Sequence, residues 1–388
     1  MPSISLTSII SALEKKMDGT DSSSNLTDVL RLANAADDFT SSVFYDSSGV
    51  LPNDSAFIGT LARDQYGTVY AYDGSTWSRP NKDGSITLPY SFGGTTSGYM
   101  SGGQAAPSRV DTIDKWSFSS DGNATDVGDL TLARERGSGQ SSGVSGYASG
   151  GVNPTLPTVN ANVIDKFPFA ADGNATDVGD LTGTFRTNAG QSSENHGYSS
   201  GGHDGSAFTN VIQKFSFASD GNATDVGDRT IIGQSATGQN STTSGYTSGG
   251  VGGSPPSPTN GAIIDKFPFS TDTNATDVGD LFSAGILAAG QSSSAHGYMS
   301  GGRIVPPMSD VIQKFSFSSD GNATDVGDLL VAAFYLAGQS SNVSGYVSGG
   351  SPSDSENIIQ KFPFSTDANS TDVGDLTQSR YGGMGQQV

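Results

Sequence analysis

Aromatic and polar residues follow a pattern that recurs six times along the chain. One recurring segment is Lys-Phe/Trp-x-Phe and the other is Gly-Tyr-x-Ser-Gly-Gly, with successive tyrosines 48 to 52 residues apart. Self-similarity at this period predicts a propeller or a solenoid array. The lysines are Lys115, Lys166, Lys214, Lys266, Lys314 and Lys361, and the tyrosines are Tyr99, Tyr147, Tyr198, Tyr246, Tyr298 and Tyr346.

Each repeat predicts four short strands, labelled a to d. Strand a is Ala-Gly-Gln-Ser-Ser, as at residues 189–193, and strand b is Gly-Tyr-x-Ser-Gly-Gly, as at residues 197–202. Strand c is the run that contains Lys-Phe-x-Phe, and strand d follows an acidic turn and contains Asp-Val-Gly-Asp-Leu. Turns of Gly, Asn, Asp and Ser separate these segments, as expected of antiparallel sheets.

The size of the side chains indicates which strand lies innermost. Blades converge at the axis of a propeller, and strand a consists of small residues, so strand a is predicted to lie there. Gly201 and Gly202 permit a close backbone approach or a positive φ where strand b ends. Farther out, Phe167 and Phe169 project to one side of strand c and are expected to fill the wedge between neighbouring blades.

This order of strands resembles kelch repeats, in which a tyrosine and a glycine doublet end the second strand. The resemblance implies a mainly β, kelch-like propeller. The repeats depart from kelch at one position, where valine stands in place of the usual tryptophan. These valines are Val127, Val178, Val226, Val278, Val326 and Val373.

The end of the sequence bears on how the ring closes. Residues 376–386 align with residues 130–140, so the chain ends on a strand a with no further strands after it. Propellers often close by letting one terminus complete the blade of the other. If residues 86–92 form the strand a that precedes Tyr99, the last strand completes a blade from residues 57–80 and gives seven blades, the leading expectation. If residues 57–80 belong to an independent unit, the same strand closes six blades.

The first 97 residues differ from the repeats. Apolar residues at helical spacing predict a helix over residues 4–17, and a second apolar stripe begins after the cap-like Asn25. Alternation around Tyr72-Asp73-Gly74-Ser75 predicts strands flanking a tight turn. The predicted domains are therefore a helical anchoring or oligomerisation segment at 1–40, a β-rich unit at 41–97 that is an alternative first blade, and the repeats at 98–388.

Residues 1–80 resemble virion proteins of tailed bacteriophages, particularly tail-fibre and appendage proteins of marine cyanophages. The shared features are a short N-terminal helical segment and a β-unit of the form Gly-Thr-Leu-Ala followed by Val-Tyr-x-Tyr-Asp-Gly-Ser-Thr-Trp. The resemblance implies a non-enzymatic structural protein of the virion, assembled in the host cytoplasm, that contacts other virion proteins through its N-terminal segment. It implies a homo-oligomer that displays the propeller to a host-surface glycan, receptor or other protein. The alternatives are a lectin-like carbohydrate-binding adhesin and a glycan-cleaving tail enzyme.

Composition and charge narrow the classes of partner. The 388 residues carry a formal net charge of −20, which disfavours binding to nucleic acid or to anionic lipid. The absence of cysteine excludes disulfides and thiol chemistry. The sequence contains no run of 18 apolar residues, so no membrane span is predicted. The first residues also lack the features of a secretory signal.

The repeats predict one constant and one variable face. Strands alternate in direction, so the a–b and c–d turns share one face and the b–c and d–a loops share the other. The c–d turns hardly vary, whereas the b–c loops differ in every repeat, which is typical of recognition loops on a rigid scaffold. The candidate ligand-binding residues on this variable face are His203, Asp204, Arg303, Asn153 and Asn260.

Other candidate chemistry is weaker. Asp121, Asn123, Asp126 and Asp129 are spaced like an oxygen-donor calcium loop, although the usual central glycine is absent and such residues also cap tight turns. The six repeated lysines are expected to form ion pairs between strands. The three histidines fall in different places, with His196 and His296 at equivalent positions of separate repeats, so no catalytic triad or metal triad is expected. No cofactor and no catalytic residue are predicted.

Overall fold

The computed structural model describes residues 92–153, 160–252, 259–303, 308–351 and 356–388, together with four short strands between residues 44 and 78. The chain divides into two compact units, Met1–Tyr90 and Ser91–Val388. Both predicted N-terminal helices lie outside the described residues, and the described residues contain only strands, turns and loops. None of the described residues forms a helix long and apolar enough to cross a membrane.

The first unit contains one four-stranded sheet. Its strands pair in chain order, the first two in parallel and the others antiparallel. The pairing of Tyr72 with Trp77 confirms the predicted strands around the tight turn. The four strands are Phe44–Tyr45, Leu61–Arg63, Val69–Tyr72 and Trp77–Ser78.

The second unit is a six-bladed β-propeller. Each blade is an antiparallel four-stranded sheet in the predicted order a-b-c-d, and the six strands a contact one another in a closed cycle. The bounds of strands a, b, c and d are Met384–Gln387, Ser97–Ala105, Ser108–Ser117 and Thr125–Asp129 in blade 1; Ser138–Ser141, Ser145–Ser149, Val163–Pro168 and Thr176–Asp180 in blade 2; Ala189–Ser192, His196–His203, Phe208–Ser216 and Thr224–Asp228 in blade 3; Thr237–Asn240, Ser244–Ser248, Ile263–Pro268 and Thr276–Asp280 in blade 4; Ala289–Ser292, His296–Ser300, Val311–Ser316 and Thr324–Asp328 in blade 5; and Ala337–Ser340, Ser344–Ser348, Ile358–Pro363 and Thr371–Asp375 in blade 6. A small sheet of Gly233–Gln234, Val251–Gly252 and Thr259–Asn260 extends the loops of blade 4.

The last strand closes the ring, but the leading expectation of seven blades is wrong. Gln386 pairs with Tyr99, so Met384–Gln387 itself occupies the strand a position that residues 86–92 were expected to take. The sheet between residues 44 and 78 already has four strands of its own and does not need this one. The alternative of six blades is therefore the one that the structure shows.

Aromatic side chains fill the seams between blades, as predicted. Tyr99 of blade 1 packs against Phe167 and Phe169 of blade 2, with ring centroids 5.6 and 4.9 Å apart. The tyrosine of strand b meets aromatic residues of the next strand c in this way at every seam, from blade 2 to blade 6 and back to blade 1. Buried aromatic pairs contribute beyond their apolar area, so these contacts hold the ring together.

A buried glutamine also links each blade to the next. The side-chain amide of Gln140 in blade 2 donates to the backbone oxygen of Tyr198 in blade 3 at 2.9 Å. Equivalent bonds occur at all six seams, including Gln339 to Tyr99 and Gln386 to Tyr147 around the closure. Because a buried amide without a partner is costly, this glutamine fixes the spacing of adjacent blades.

Three seams contain a fully buried ion pair. The guanidinium of Arg134 contacts the carboxylate of Asp165 at 2.7 Å, and both side chains are completely buried. Arg380 joins Asp114 in the same way, whereas Arg229, which stands at the position equivalent to Leu130, contacts Asp265 through Nε at 3.3 Å. At the other three seams, strand c carries glutamine instead, and no arginine faces it. These glutamines are Gln213, Gln313 and Gln360.

Candidate functional site

The constant face owes its uniformity to contacts between neighbouring c–d turns. The Asn174 side chain in blade 2 accepts a hydrogen bond from the backbone N–H of Asp129 in blade 1, and Ala175 N–H donates to the Asp129 carbonyl. Both bonds recur at all six seams. The acidic turn is therefore a staple between blades, which explains why it hardly varies.

The lysines complete this staple. Lys115 contacts Asp172 in the turn of the next blade, and the six such ion pairs around the ring have N–O distances of 2.5 to 2.9 Å. The pairing raises the pKa of Lys115 and Lys166, chiefly through the hydrogen bond to the aspartate. The predicted ion pairs are present, and they join separate blades.

The four residues of the alternative calcium site have other partners. Asp121 pairs with Lys361, the Asn123 oxygen accepts the backbone N–H of Asp375, and Asp126 accepts the N–H of Gly128. Burial raises the pKa of Asp129, and the nearby Asp111 and Asp126 add to the effect. Among the described residues, no three His, Asp or Glu side chains gather as a metal site.

The variable face is organised by a ring of backbone hydrogen bonds around the axis. In each d–a loop, one residue with a φ of 53 to 66° donates its N–H to the carbonyl of its counterpart in the preceding blade. The six bonds are 2.6 to 2.9 Å long and form a closed circle. These residues, which we call the mouth ring, are Arg136, Thr187, Ser235, Leu287, Tyr335 and Gly382.

Only the backbone of the mouth ring is uniform. Its six side chains all differ, as do those of the residues immediately before them, although the next invariant glycine lies only three positions farther along. A positive φ costs an ordinary residue about 1–3 kcal/mol, yet five of the six positions are not glycine. The preceding residues, which we call the outer ring, are Glu135, Arg186, Gln234, Ile286, Phe334 and Tyr381.

The two rings divide the mouth into a polar half and an apolar half. The loops that lead into blades 2, 3 and 4 supply Glu135-Arg136, Arg186-Thr187 and Gln234-Ser235. The loops that lead into blades 5, 6 and 1 supply Ile286-Leu287, Phe334-Tyr335 and Tyr381-Gly382. The exposed Ile232, Phe282, Leu330 and Met308 lie on the same face in the loops of blades 4 to 6.

A cavity of about 130 Å³ lies on the axis and is lined by the mouth ring and the first residues of each strand a. A circle of six glycines narrows the axis below it, where a Cβ on Gly238 would lie 2.0 Å from the carbonyl oxygen of Gly190. The cavity therefore lies at the variable face, and the inner strands approach one another closely at its glycines.

Arg136 is held across the apolar half of the mouth. Its guanidinium lies 4.4 Å from the ring centroid of Tyr335, which also stacks on Tyr381 at 5.5 Å. The intervening Gly382 has no side chain, and a Cβ there would approach Glu135 and Arg136. Burial raises the pKa of Tyr335, so its hydroxyl stays neutral.

The predicted ligand-binding residues are spread over four blades. His203 and Asp204 lie in blade 3, where the His203 imidazole accepts the N–H of Gly205 and the Asp204 carboxylate accepts two backbone N–H groups. Burial lowers the pKa of His203, and the backbone hydrogen bonds lower that of Asp204. Both residues therefore help to shape their own loop.

The other three candidates occupy blades 2, 4 and 5. Arg303 lies over the ring of Phe334 at 5.8 Å and so extends the outer ring. Asn153 is buried, and the backbone of Asn260 lies in the small sheet of blade 4. The sequence interpretation placed variability in the b–c loops and missed the mouth ring. Alignment of the repeats on the invariant Gly-Gln of strand a, such as Gly139-Gln140, would have shown that the side chains at these positions vary, but not that their backbones form a ring.

The histidines are not gathered. His196 and His296 begin strand b of blades 3 and 5, on the constant face, and each packs against the tyrosine of its own blade. Burial lowers the pKa of both imidazoles. His203 lies on the opposite face, so these three side chains do not share a site.

The chain enters the propeller on the constant face. Gly94 bridges to the a–b turn of blade 6, and Val388 hydrogen-bonds to Ser97 at the start of strand b in blade 1. Comparison of the chain with protein-family models and with curated protein sequences finds no match.

Proposed function

We propose that the protein is a non-enzymatic binding component of a tailed-phage virion that presents the variable face of its propeller to a host surface or to another protein. The observation that carries this proposal is the mouth ring. Six backbone positions share one geometry and one circle of hydrogen bonds, while their side chains all differ. Variation of side chains on an unvarying backbone is expected of a recognition surface.

The point at which the chain enters the propeller also supports a role for the variable face. Residues 94–97 join the ring on the constant face, opposite the mouth ring. The resemblance of residues 1–80 to phage tail-fibre and appendage proteins supplies the virion setting. Assembly with other virion proteins and homo-oligomerisation through residues 1–40 are part of this proposal.

A lectin-like adhesin is the second candidate, and the composition of the mouth favours it. Aromatic and aliphatic side chains face arginine, threonine and serine across a cavity of about 130 Å³. Ligand sites commonly combine an apolar wall with a few convergent polar groups. The glycan-cleaving alternative needs a pair of carboxylates beside a substrate cleft. Glu135 is the one carboxylate in the two rings at the mouth, and it already pairs with Arg109 at 3.1 Å.

The test compares charge insertions on the two faces. Phe282 on the variable face and Val343 on the constant face are both exposed apolar residues, with relative accessibilities of 61% and 70%. Neither Phe282→Glu nor Val343→Glu should unfold the chain, since each side chain is already in water. Purified protein carrying each substitution is added to host cells, and bound protein is counted by flow cytometry.

The proposal expects Phe282→Glu to reduce binding to cells and Val343→Glu to leave it unchanged. Mass spectrometry of purified particles should also detect the chain. Equal binding by both variants would refute a role for the variable face. Absence of the chain from particles would refute the virion setting.

A further inference from the structure

The two rings at the mouth of the propeller carry more positive than negative charge, although the chain as a whole is acidic. The charged residues of the two rings are Arg136, Arg186 and Glu135, and Glu135 also pairs with Arg109 at 3.1 Å. Within the described part of the chain, the Arg186 side chain has no ion pair, and the Arg136 guanidinium contacts only Glu135 and Tyr335. The two rings together with Arg109 therefore carry three positive charges and one negative charge, although the net charge of the chain is −20.

The arrangement holds the arginines ready for a ligand. The guanidinium of Arg136 is stacked on Tyr335 and contacts Glu135 at 3.3 Å through Nε. Stacking restricts the side chain, so less conformational freedom is lost when an anion binds. Arg186 lies close enough to Tyr335 to lower the pKa of its hydroxyl against the larger effect of burial. Arg136 lines the cavity, and Arg186 directly precedes Thr187, which also lines it.

The walls of the cavity are suited to a group with both hydroxyl and C–H surface. Thr187, Ser235 and Ser138 line the polar half, and Leu287 and Tyr335 line the apolar half. The volume accommodates one small ring. An extended peptide needs a groove along which its backbone can hydrogen-bond to a strand, and a compact cavity on the axis does not offer one.

We propose that the mouth ring binds a terminal sugar residue that carries a carboxylate, with the carboxylate at Arg136 and Arg186 and the sugar ring in the axial cavity. This inference rests on the proposed function of the variable face and names the class of ligand. Guanidinium groups form the strongest hydrogen bonds to carboxylates, which places the charge of the ligand at the arginines. The hydroxyls of the sugar then face the serine and threonine side chains.

The experiment uses the full chain and two sugars that differ only in the carboxylate. Methyl β-D-glucuronide and methyl β-D-glucoside are titrated by isothermal calorimetry or by ligand-observed NMR, with N-acetylglutamate as an acidic amino-acid probe. The proposal expects the glucuronide to bind about tenfold or more tightly than the glucoside, because a charged hydrogen bond is lost with the carboxylate. It expects N-acetylglutamate to bind more weakly than the glucuronide.

Two variants assign the binding to the mouth. Arg136→Gln should weaken binding of the glucuronide about tenfold or more. Lys166→Gln removes the same charge from the constant face of blade 2 and should leave binding unchanged. Equal binding of the two sugars, tighter binding of N-acetylglutamate, no binding of any probe, or an unchanged affinity in Arg136→Gln would each overturn the inference.

Failure of the sugar test is distinguishable from failure of the proposed function. If no sugar binds but Phe282→Glu still reduces binding to host cells relative to Val343→Glu, the variable face recognises a ligand of another class. If both tests fail, the variable face is not a recognition surface.

Discussion

Replacing Asp165 by glutamine is expected to destabilise the propeller strongly, because it leaves the buried Arg134 without its counter-charge. Both side chains have no exposed surface and their charged atoms are 2.7 Å apart. Removing one partner of a buried ion pair costs about 3–5 kcal/mol. Arg134→Phe should cost a similar amount, because it leaves the Asp165 carboxylate buried with hydrogen bonds only from Thr131.

The next seam supplies the compensating pair. There Phe185 stands at the position equivalent to Arg134, and Gln213 accepts two hydrogen bonds from Thr182 at 2.7 and 2.8 Å. The double variant Arg134→Phe/Asp165→Gln copies this arrangement. Its stability is expected to lie within about 2 kcal/mol of the parent, because a buried ion pair replaced by well-packed residues is often nearly neutral.

The assay is urea unfolding of the parent, both single variants and the double variant. Fluorescence of the buried Trp116 reports unfolding of the ring, and the midpoint and slope give each free energy of unfolding. The two positions are strongly coupled if the double variant loses far less free energy of unfolding than the two single variants lose together, and this result supports the reasoning. A double variant as unstable as that sum would refute it, because the two positions would then act independently.

Two further outcomes follow from the ring. Gly238→Ala should prevent folding, because the new Cβ would lie 2.0 Å from a backbone oxygen of the neighbouring inner strand. The control Gly143→Ala should be neutral, because nothing lies within 4 Å of its Cβ, and circular dichroism and thermal melting compare the two variants. Burial raises the pKa of Tyr198 and Tyr298 from 10.0 to about 12, so unfolded chains lose these protons first and stability should fall as pH rises from 10 to 12. Ultraviolet absorbance of tyrosinate should therefore rise together with unfolding, and titration of all tyrosines near pH 10 with the fold retained would contradict this.

Much of the fold is predictable from the sequence because the same pattern of residues recurs six times. Small residues in strand a, the Tyr-x-Ser-Gly-Gly segment of strand b and the aromatic pair of strand c all took their expected places. The number of blades was not predictable, since Met384–Gln387 fits beside the strand of Tyr99 or beside an earlier sheet equally well by pattern. Only the observed pairing of Gln386 with Tyr99 decides between six and seven.

The candidate site was harder to predict for a physical reason. Long, irregular b–c loops draw attention, but His203 and Asp204 mainly hydrogen-bond within their own turn. The mouth ring is only one residue deep in each blade, and its uniformity lies in φ and in backbone hydrogen bonds, which no side chain reports. The alternation between aspartate and glutamine at one position of strand c is visible in the sequence. The arginines that pair with these aspartates lie in the preceding d–a loop, so the sequence alone does not show the pairing.

Closure of the six-bladed ring by the final strand is the claim on which the mouth and the seams depend, and one engineered disulfide tests it. Ser97 and Val388 exchange two backbone hydrogen bonds of 2.9 Å, a pairing that brings Cα atoms to about 5.5 Å and within disulfide range. The chain has no cysteine of its own, so Ser97→Cys/Val388→Cys offers one intramolecular bridge, and Ser244→Cys/Val388→Cys is the matched control in blade 4. The account predicts that dilute, folded protein oxidises completely in the first pair and keeps both thiols in the second; free thiols in the first pair would contradict it.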